Sequence, residues 1–385
     1  LKQKDSLNNR SLEFFNSVYF EEKKYKFQQK SSDEFFGDSF VSQEINDKLF
    51  LNSFNLQTGL VLQSDKFGKF NLGLRYIADR YSLENYQIDD YVDNSQNINS
   101  KTTYLNGIYL KQFSNIELKL NTENFIFGDN QANSFSSIVK FNFKNDNSLA
   151  LKYNFYSVAP SYNTLLFRSN YENYNWDNEF DNSVTNSISL NLILSNILDL
   201  DIDLISVKKH VQFEKLIGNN SAGINNYSIT PIQYSNNLEV LKIKLARKIK
   251  FGKFSIDSKL LLQKTMSDNI INLPEIVSRN SFYYSTDMFK KALYLQTGFG
   301  VKYFSKFYMN GYDPLLSELY VQNENEIGGF PIIDFFINAK IQQTRLYFKF
   351  EHFNSSFTGN NYYSAPNYPY RDFTFRFGLV WNFFM

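Results

Sequence analysis

The chain has 385 residues with 40 Lys plus Arg against 39 Asp plus Glu and no cysteine, so neither a nucleic-acid partner nor a disulfide framework nor a thiol nucleophile is expected. Aromatic residues make up 18%, with 40 Phe and 27 Tyr, yet the hydrophobic fraction is 43% and mean hydropathy is −0.40, a mixture that a single soluble core uses poorly. No stretch approaches the roughly 18 consecutive apolar residues of a membrane-spanning helix, which excludes a helical membrane protein.

Taken in chain order, the elements are strands, recognised by period-2 alternation of apolar and polar side chains. The chain opens on Leu1 without a visible signal peptide, which points to a mature or trimmed chain whose export is inferred. Residues 1–15 are expected as a periplasmic N-terminal extension. A first strand falls at 16–30, around Val18, Tyr19, Phe20, Tyr25 and Phe27, and alternates poorly among Lys and Glu. Farther on, Ile116, Leu118 and Leu120 alternate with Glu117, Lys119 and Asn121, and Leu149, Leu151, Tyr153 and Phe155 with Ala150, Lys152 and Asn154. Ile188, Leu190, Leu192 and Leu194 flank Ser189 and Asn191. Leu293, Leu295, Phe299, Val301 and Tyr303 flank Gln296, Gly298, Gly300 and Lys302. Leu346, Phe348 and Phe350 alternate with Tyr347, Lys349 and Glu351, and the last strand places Phe373, Phe375, Phe377, Leu379, Trp381 and Phe383 on one side.

Short connections are read near 64–69, 112–115, 144–148, 195–199, 250–253, 289–291 and 341–345. Long polar ones are read near 31–47, 85–101, 127–133, 159–181, 214–235, 267–280, 307–330 and 355–370. Two strands per short turn, the terminal strand and the one before residue 31 make about 16. Proline cannot donate to a ladder. Pro160, Pro231, Pro274, Pro314, Pro366 and Pro369 fall in the long connections and Pro331 at a strand start.

In lipid every backbone N–H and C=O must be paired internally, so a membrane protein without helices must be a closed barrel. The predicted fold is therefore all-β: a single domain over residues 1–385, a transmembrane antiparallel β-barrel of about 16 strands with short periplasmic turns and long extracellular loops. Its first and last strands are expected to pair. A soluble sandwich would also alternate, but it would have to protect its edges and join all these apolar faces in one core.

With the polar face turned inward, the candidate lumen residues are Arg75, Glu117, Lys119, Lys152, Asp201, Asp203, Lys242, Lys244, Asp257, Lys259, Lys302, Asp334, Lys340, Lys349, Glu351 and Arg376. Charges of both signs suit a water-filled wall that filters ions and polar solutes, although such residues also pair across strands. Asp199, Asp201 and Asp203 lie at spacing two on one strand, and Lys242, Lys244, Lys248 and Lys250 on the next. Carboxylates about 6.6 Å apart along a strand are too far apart to share one cation, so the economical reading is a salt-bridge ladder between neighbours.

No cofactor or metal is called for, and an enzyme is not expected. His210 and His352, the only histidines, fall on the ninth and fifteenth predicted strands, and no motif sets a serine beside either. The segment with Tyr171, Glu172, Tyr174, Trp176, Asp177, Glu179 and Asp181 mixes rings and carboxylates that suit a sugar or calcium. It, or the segment 307–330, is a candidate for folding inward as a constriction.

The ending carries a more specific pattern: Arg376, Gly378, Trp381 and Phe383 resemble the C-terminal β-signal of outer-membrane barrels, a polar residue, a glycine two on and alternate aromatics, with Phe384 and Met385 following. The resemblance implies the barrel-assembly machinery as a partner. The run Tyr362, Tyr363, Ser364, Ala365, Pro366, Asn367, Tyr368, Pro369, Tyr370, Arg371 leading into Phe373–Phe384 is similar to the end of the porins of Bacteroidota. That resemblance implies a bacterial outer-membrane barrel with channel activity, in contact with outer-membrane lipid, and no defined solute. The expected function is a porin-like channel for passive diffusion of small hydrophilic solutes or ions. The alternative is a non-transport barrel serving as an accessory subunit, with an envelope protein or a second copy as partner.

Overall fold

Apolar and polar side chains alternate residue by residue over much of this chain, a repeat that extended backbone sorts onto two opposite faces. The structure, a computed structural model, describes residues 2–5, 10–41, 43–84, 97–195, 197–219, 225–267, 270–357 and 362–383. Its main sheet is built, in chain order, from β1 (Lys2–Asp5), β2 (Arg10–Gln29), β3 (Ile45–Ser64), β4 (Gly68–Glu84), β5 (Asn97–Phe113), β6 (Ile116–Gly128), β7 (Asn133–Asn142) and β8 (Ser148–Val158). The second half supplies β9 (Ser183–Leu194), β10 (Leu198–Lys208), β11 (Leu238–Phe251), β12 (Phe254–Thr265), β13 (Ile276–Met288), β14 (Leu293–Phe304), β15 (Ile332–Ile341), β16 (Thr344–Glu351) and β17 (Thr374–Trp381). Every one pairs antiparallel with its predecessor and successor in this series. The sixteen long strands are β2–β17, the number expected, and β1 is a seventeenth of four residues.

All seven short turns fall where the sequence placed them. In the turn between β7 and β8, Asn145 and Asp146 have φ values of 61° and 57°, in the left-handed region. Asn and Asp tolerate that region better than other residues with a side chain. The connections read near 31–47 and 267–280 are shorter, because β3 begins at Ile45 and β13 at Ile276, whereas those read near 214–235, 307–330 and 355–370 run longer between main-sheet strands, over 209–237, 305–331 and 352–373. One of them carries its own hairpin, Val211–Asn219 with Asn225–Gln233, so that Pro231 sits opposite Phe213 in a ladder outside the main sheet. The reading of 85–101 falls partly outside the described residues.

One expectation is corrected. Residues 10–15 are not an extension: β2 pairs with β3 over its whole length, from Arg10 opposite Ser64 to Gln29 opposite Ile45, and Lys2–Asp5 pair with Arg10–Glu13. The side-chain pattern hid this, because Val18, Tyr19 and Phe20 are all exposed and register there follows backbone pairing. At the other end of the sheet β17 pairs with β16, and among the described residues no ladder joins it to β1 or β2.

One face of the sheet is apolar and open to the surroundings, with Leu151, Ile188, Leu204, Phe282, Phe299 and Phe375 among its exposed side chains. The opposite face, called inner here, receives the long connections. The buried core lies there, where Phe36, Tyr171, Tyr174, Phe213, Leu315 and Leu316 pack on Ile45, Tyr81 and Leu83 at the long-connection ends of β3 and β4.

Candidate functional site

Ladder register settles which side chains share a face, because directly opposed residues point the same way. Arg75 opposes Gln57, Lys152 opposes Ser189, Asp201 opposes Lys244 and Asp203 opposes Lys242. Lys259 opposes Arg279, which opposes Lys302; Lys340 opposes Arg345; Lys349 opposes Arg376. Followed strand by strand, the register brings all sixteen predicted lumen residues to the inner face, Glu117, Lys119, Asp257, Asp334 and Glu351 included.

Many of these charges pair across strands. Lys244 Nζ lies 3.3 Å from Asp201 Oδ2, so the acid and basic stripes do form a ladder contact. Arg75 reaches Glu123 at 3.3 Å and donates to Asn55 Oδ1 at 3.2 Å. On the last strands a chain of ion pairs runs from Lys302 to Asp334 (3.2 Å), to Lys349 (3.1 Å), to Glu351 (2.7 Å) and to Arg376 (2.9 Å). Asp334 is its hub and also accepts the His352 backbone N–H at 3.0 Å. Two cavities of about 380 and 370 Å³ adjoin this network and share Lys302 and Asp334.

Both candidate constriction segments fold inward, and they meet. Tyr174 donates to Asp313 Oδ2 at 2.7 Å, and Asn163 donates to Glu318 Oε1 at 2.6 Å. Hydrogen bonds tie them to the wall: Tyr171 to Gln29 (2.6 Å), Tyr162 to Asp79 (2.9 Å), Tyr81 to the Leu166 carbonyl (3.0 Å) and Tyr25 to the Pro314 carbonyl. Asp313 is 1% exposed. Burial lifts its carboxyl above the ordinary carboxylate range, against hydrogen bonds from the Leu316 and Leu315 N–H groups and Tyr174. Burial and the adjacent Asp313 likewise push the Tyr174 hydroxyl up.

The sugar or calcium reading of this segment is corrected by the same packing. Tyr171 and Tyr174 are buried in the core, and Trp176 is stacked on Phe167 at 5.2 Å. Asp181 pairs with Lys209 and Asp177 with Arg168, while Glu172 and Glu179 are not gathered with them. No group of three potential metal ligands occurs among the described residues.

The histidines lie just past strand ends and not within strands. His210 contacts Gln212 Oε1 at 3.2 Å, and burial lowers its basicity. His352 is buried edge-on between Tyr362 and Tyr370, with Nδ1 2.7 Å from the Arg371 carbonyl. Neither ring has a serine hydroxyl partner among the described residues.

At the C-terminal pattern, Trp381 and Phe383 stack at 4.7 Å, while Arg376 belongs to the ion-pair chain. Gly378 has a local cause that the sequence did not reveal: a Cβ there would stand 2.4 Å from the Tyr347 ring, which opposes it in the ladder. The same device recurs where Gly59 and Gly73 oppose each other beneath Phe15. Sequence reading also missed Glu123 and Arg279. Arg279 was hidden because the polar, proline-bearing stretch 267–280 reads as a loop, although Val277, Arg279, Ser281 and Tyr283 alternate with Ser278, Asn280 and Phe282.

A family model described as "Putative porin" matches residues 2–385. The chain belongs to this porin family. No curated protein matches its sequence. Among solved structures the chain is similar to the siderophore receptor PirA from Acinetobacter baumannii (10% identity, TM-score 0.58, 98% of this chain and 60% of that one). It is also similar to the FrpB iron transporter from Neisseria meningitidis (12%, 0.58, 98% and 61%) and to the copper transporter OprC (10%, 0.61, 96% and 64%). At these identities the likeness is one of fold, that of outer-membrane barrel receptors. This member of the porin family spans about three fifths of the length of the receptors it matches.

Proposed function

We propose that the chain forms a channel of the bacterial outer membrane for passive diffusion of small hydrophilic solutes or ions, with its short turns periplasmic and its long connections outside. The observation that carries this reading is the division of one sheet into two faces: exposed apolar side chains on one, and on the other all sixteen predicted charges of both signs. An apolar outer face suits lipid, and a mixed-charge wall suits a wet path in which fixed charges filter solutes. The reading needs no catalytic step, and the buried His352 and the Gln212-bound His210 serve packing. Assembly would rest on the C-terminal pattern of Arg376, Gly378, Trp381 and Phe383, read by the barrel-assembly machinery.

One observation favours the alternative of an accessory barrel without transport, docked to an envelope protein or to a second copy: the inward-folded segments occupy the inner face of β2–β4 at their long-connection ends. Single-channel recording in planar bilayers separates the two. Discrete conductance steps that depend on salt concentration are expected; purified, folded protein that conducts nothing would replace the channel by the accessory role.

A further inference from the structure

We propose that the inner face of β12–β14 carries a binding site for a small multivalent oxyanion such as a phosphate group, centred on Arg279 and flanked by Lys259 and Lys302. The proposal rests on the channel reading and deepens it by naming a class of solute.

Lys259, Arg279 and Lys302 stand directly opposite one another on three adjacent strands. Like charges at that ladder spacing repel, and a sheet gains nothing from the arrangement unless something negative lies across it. Lys302 is partly satisfied by Asp334, but Asp334 also takes Lys349 and the His352 N–H. Among the described residues, the side chains of Lys259 and Arg279 have neither an ion pair nor a hydrogen bond.

The two other carboxylates of this wall do not relieve the row. Asp257 stands opposite Ser281 and Lys248, one face-step below Lys259. Asp287 lies eight residues along β13 from Arg279, roughly 27 Å at ~3.4 Å per residue. Elsewhere on the inner face some cations are paired, Arg75 with Glu123 and Lys244 with Asp201, while Lys340 and Arg345 form a second like-charge pair in the ladder. The row sets three cations side by side, one more than the Lys340–Arg345 pair, within a wall that is itself rich in Lys and Arg.

The chemistry favours an oxyanion over a halide. A guanidinium presents a planar fork of N–H donors that matches two oxygens of one phosphate or carboxylate. Arg279, Lys302 and Lys349 line the cavity of about 380 Å³, together with Ser281, Tyr283, Gln296 and Asn338, and its two carboxylates are Asp257 and the Asp334 already engaged by Lys302 and Lys349. The hydroxyls and amides can donate to further oxygens of the same anion, and the volume suits a small solute.

The test is thermal unfolding of the detergent-purified protein, read by heat-modifiable migration, in inorganic phosphate against chloride at equal ionic strength, with bilayer recording on the same preparation. Phosphate is expected to raise the midpoint saturably and to block chloride current. Arg279→Gln should weaken apparent phosphate affinity by roughly tenfold or more, the scale of a lost charged hydrogen bond. Arg279→Lys, which keeps the charge without the fork, should fall between, and Lys144→Gln, exposed in the short turn after β7, should behave as wild type. Should Arg279→Gln not fold, Lys259→Gln reads the same loss.

The outcomes separate the two readings. Phosphate stabilisation without conductance keeps the site and removes the channel. Conductance with no phosphate effect, or with equal effects in wild type and Arg279→Gln, overturns the site and keeps the channel. Neither stabilisation nor conductance overturns both.

Discussion

The division into an apolar face and a charged face makes its sharpest quantitative demand at neighbouring positions on β9. Leu190 opposes Leu151 and Ile202 on the apolar side, whereas Ser189 opposes Lys152 and Asp203 on the inner side. Along a strand rising ~3.4 Å per residue and tilted ~40°, Leu190 lies roughly 10 Å from the short-turn end of β9 and about 18 Å from the other, close to the middle of an apolar band ~25 Å tall. Leu190→Arg should therefore cost roughly 2–4 kcal/mol, the depth-dependent penalty for a cation near the midplane of a barrel's lipid face. Ser189→Arg adds a cation between an existing Lys and an existing Asp on the wet face, and should cost under about 1 kcal/mol, as exposed charge pairs do. Urea unfolding in phospholipid bilayers, followed by migration of folded and unfolded forms, measures both. Equal penalties, or a larger one at Ser189, would mean that the apolar face does not meet lipid and would refute the reasoning from alternation.

Three further outcomes are expected. Gly378→Val should destabilise by roughly 1–3 kcal/mol, since its side chain must displace the Tyr347 ring, and Tyr347→Ala in the same chain should recover most of that; additive losses in a double-mutant cycle would disprove the steric cause. Burial holds the Asp313 carboxyl above its ordinary value, so the folded core binds this proton more tightly than the unfolded chain does. The site therefore stabilises docking of the inward segments as pH falls through the raised folded value toward the ordinary carboxylate range, and loses that contribution as pH rises; hydrogen exchange at Leu315 and Leu316 should show the trend in wild type and not in Asp313→Asn. Replacing Lys242, Lys244 and Lys248 together by Gln should shift reversal potentials toward cation permeation, and an unchanged potential would take these residues off the solute path.

The fold was legible because its signal is local. Period-2 alternation needs only neighbouring residues, and it placed seven turns and sixteen long strands. The strand least legible, β2, is held by backbone pairing to β3 over twenty residues, which leaves little trace in side-chain order. The face of each candidate charge was legible for the same reason as the strands, yet its partner was not. Arg75 finds Glu123 two strands away, a relation set by the register of β4, β5 and β6 together. The inward core was legible only as two candidate segments, because the meeting of Tyr174 with Asp313 spans 139 residues and no local pattern records it.

The two halves of the inner face have become different in kind, and that bears on which charges can act on a solute. Toward the long-connection ends of β2–β4 the wall is covered by buried rings and by hydrogen bonds from Tyr25, Tyr81 and Tyr162. Charges in that region, such as Asp79 beneath Tyr162, hold protein to protein. From β11 to β17 the wall keeps Lys244, Lys248, Lys259 and Arg279 exposed and opens into two cavities around Lys302 and Asp334. Fixed charge acts on a passing ion only where solvent still reaches it, because the interaction falls off within about 8–10 Å at physiological salt. On the channel reading the path therefore runs along β11–β17, and selectivity follows the excess of Lys and Arg there, not the near balance of the whole chain.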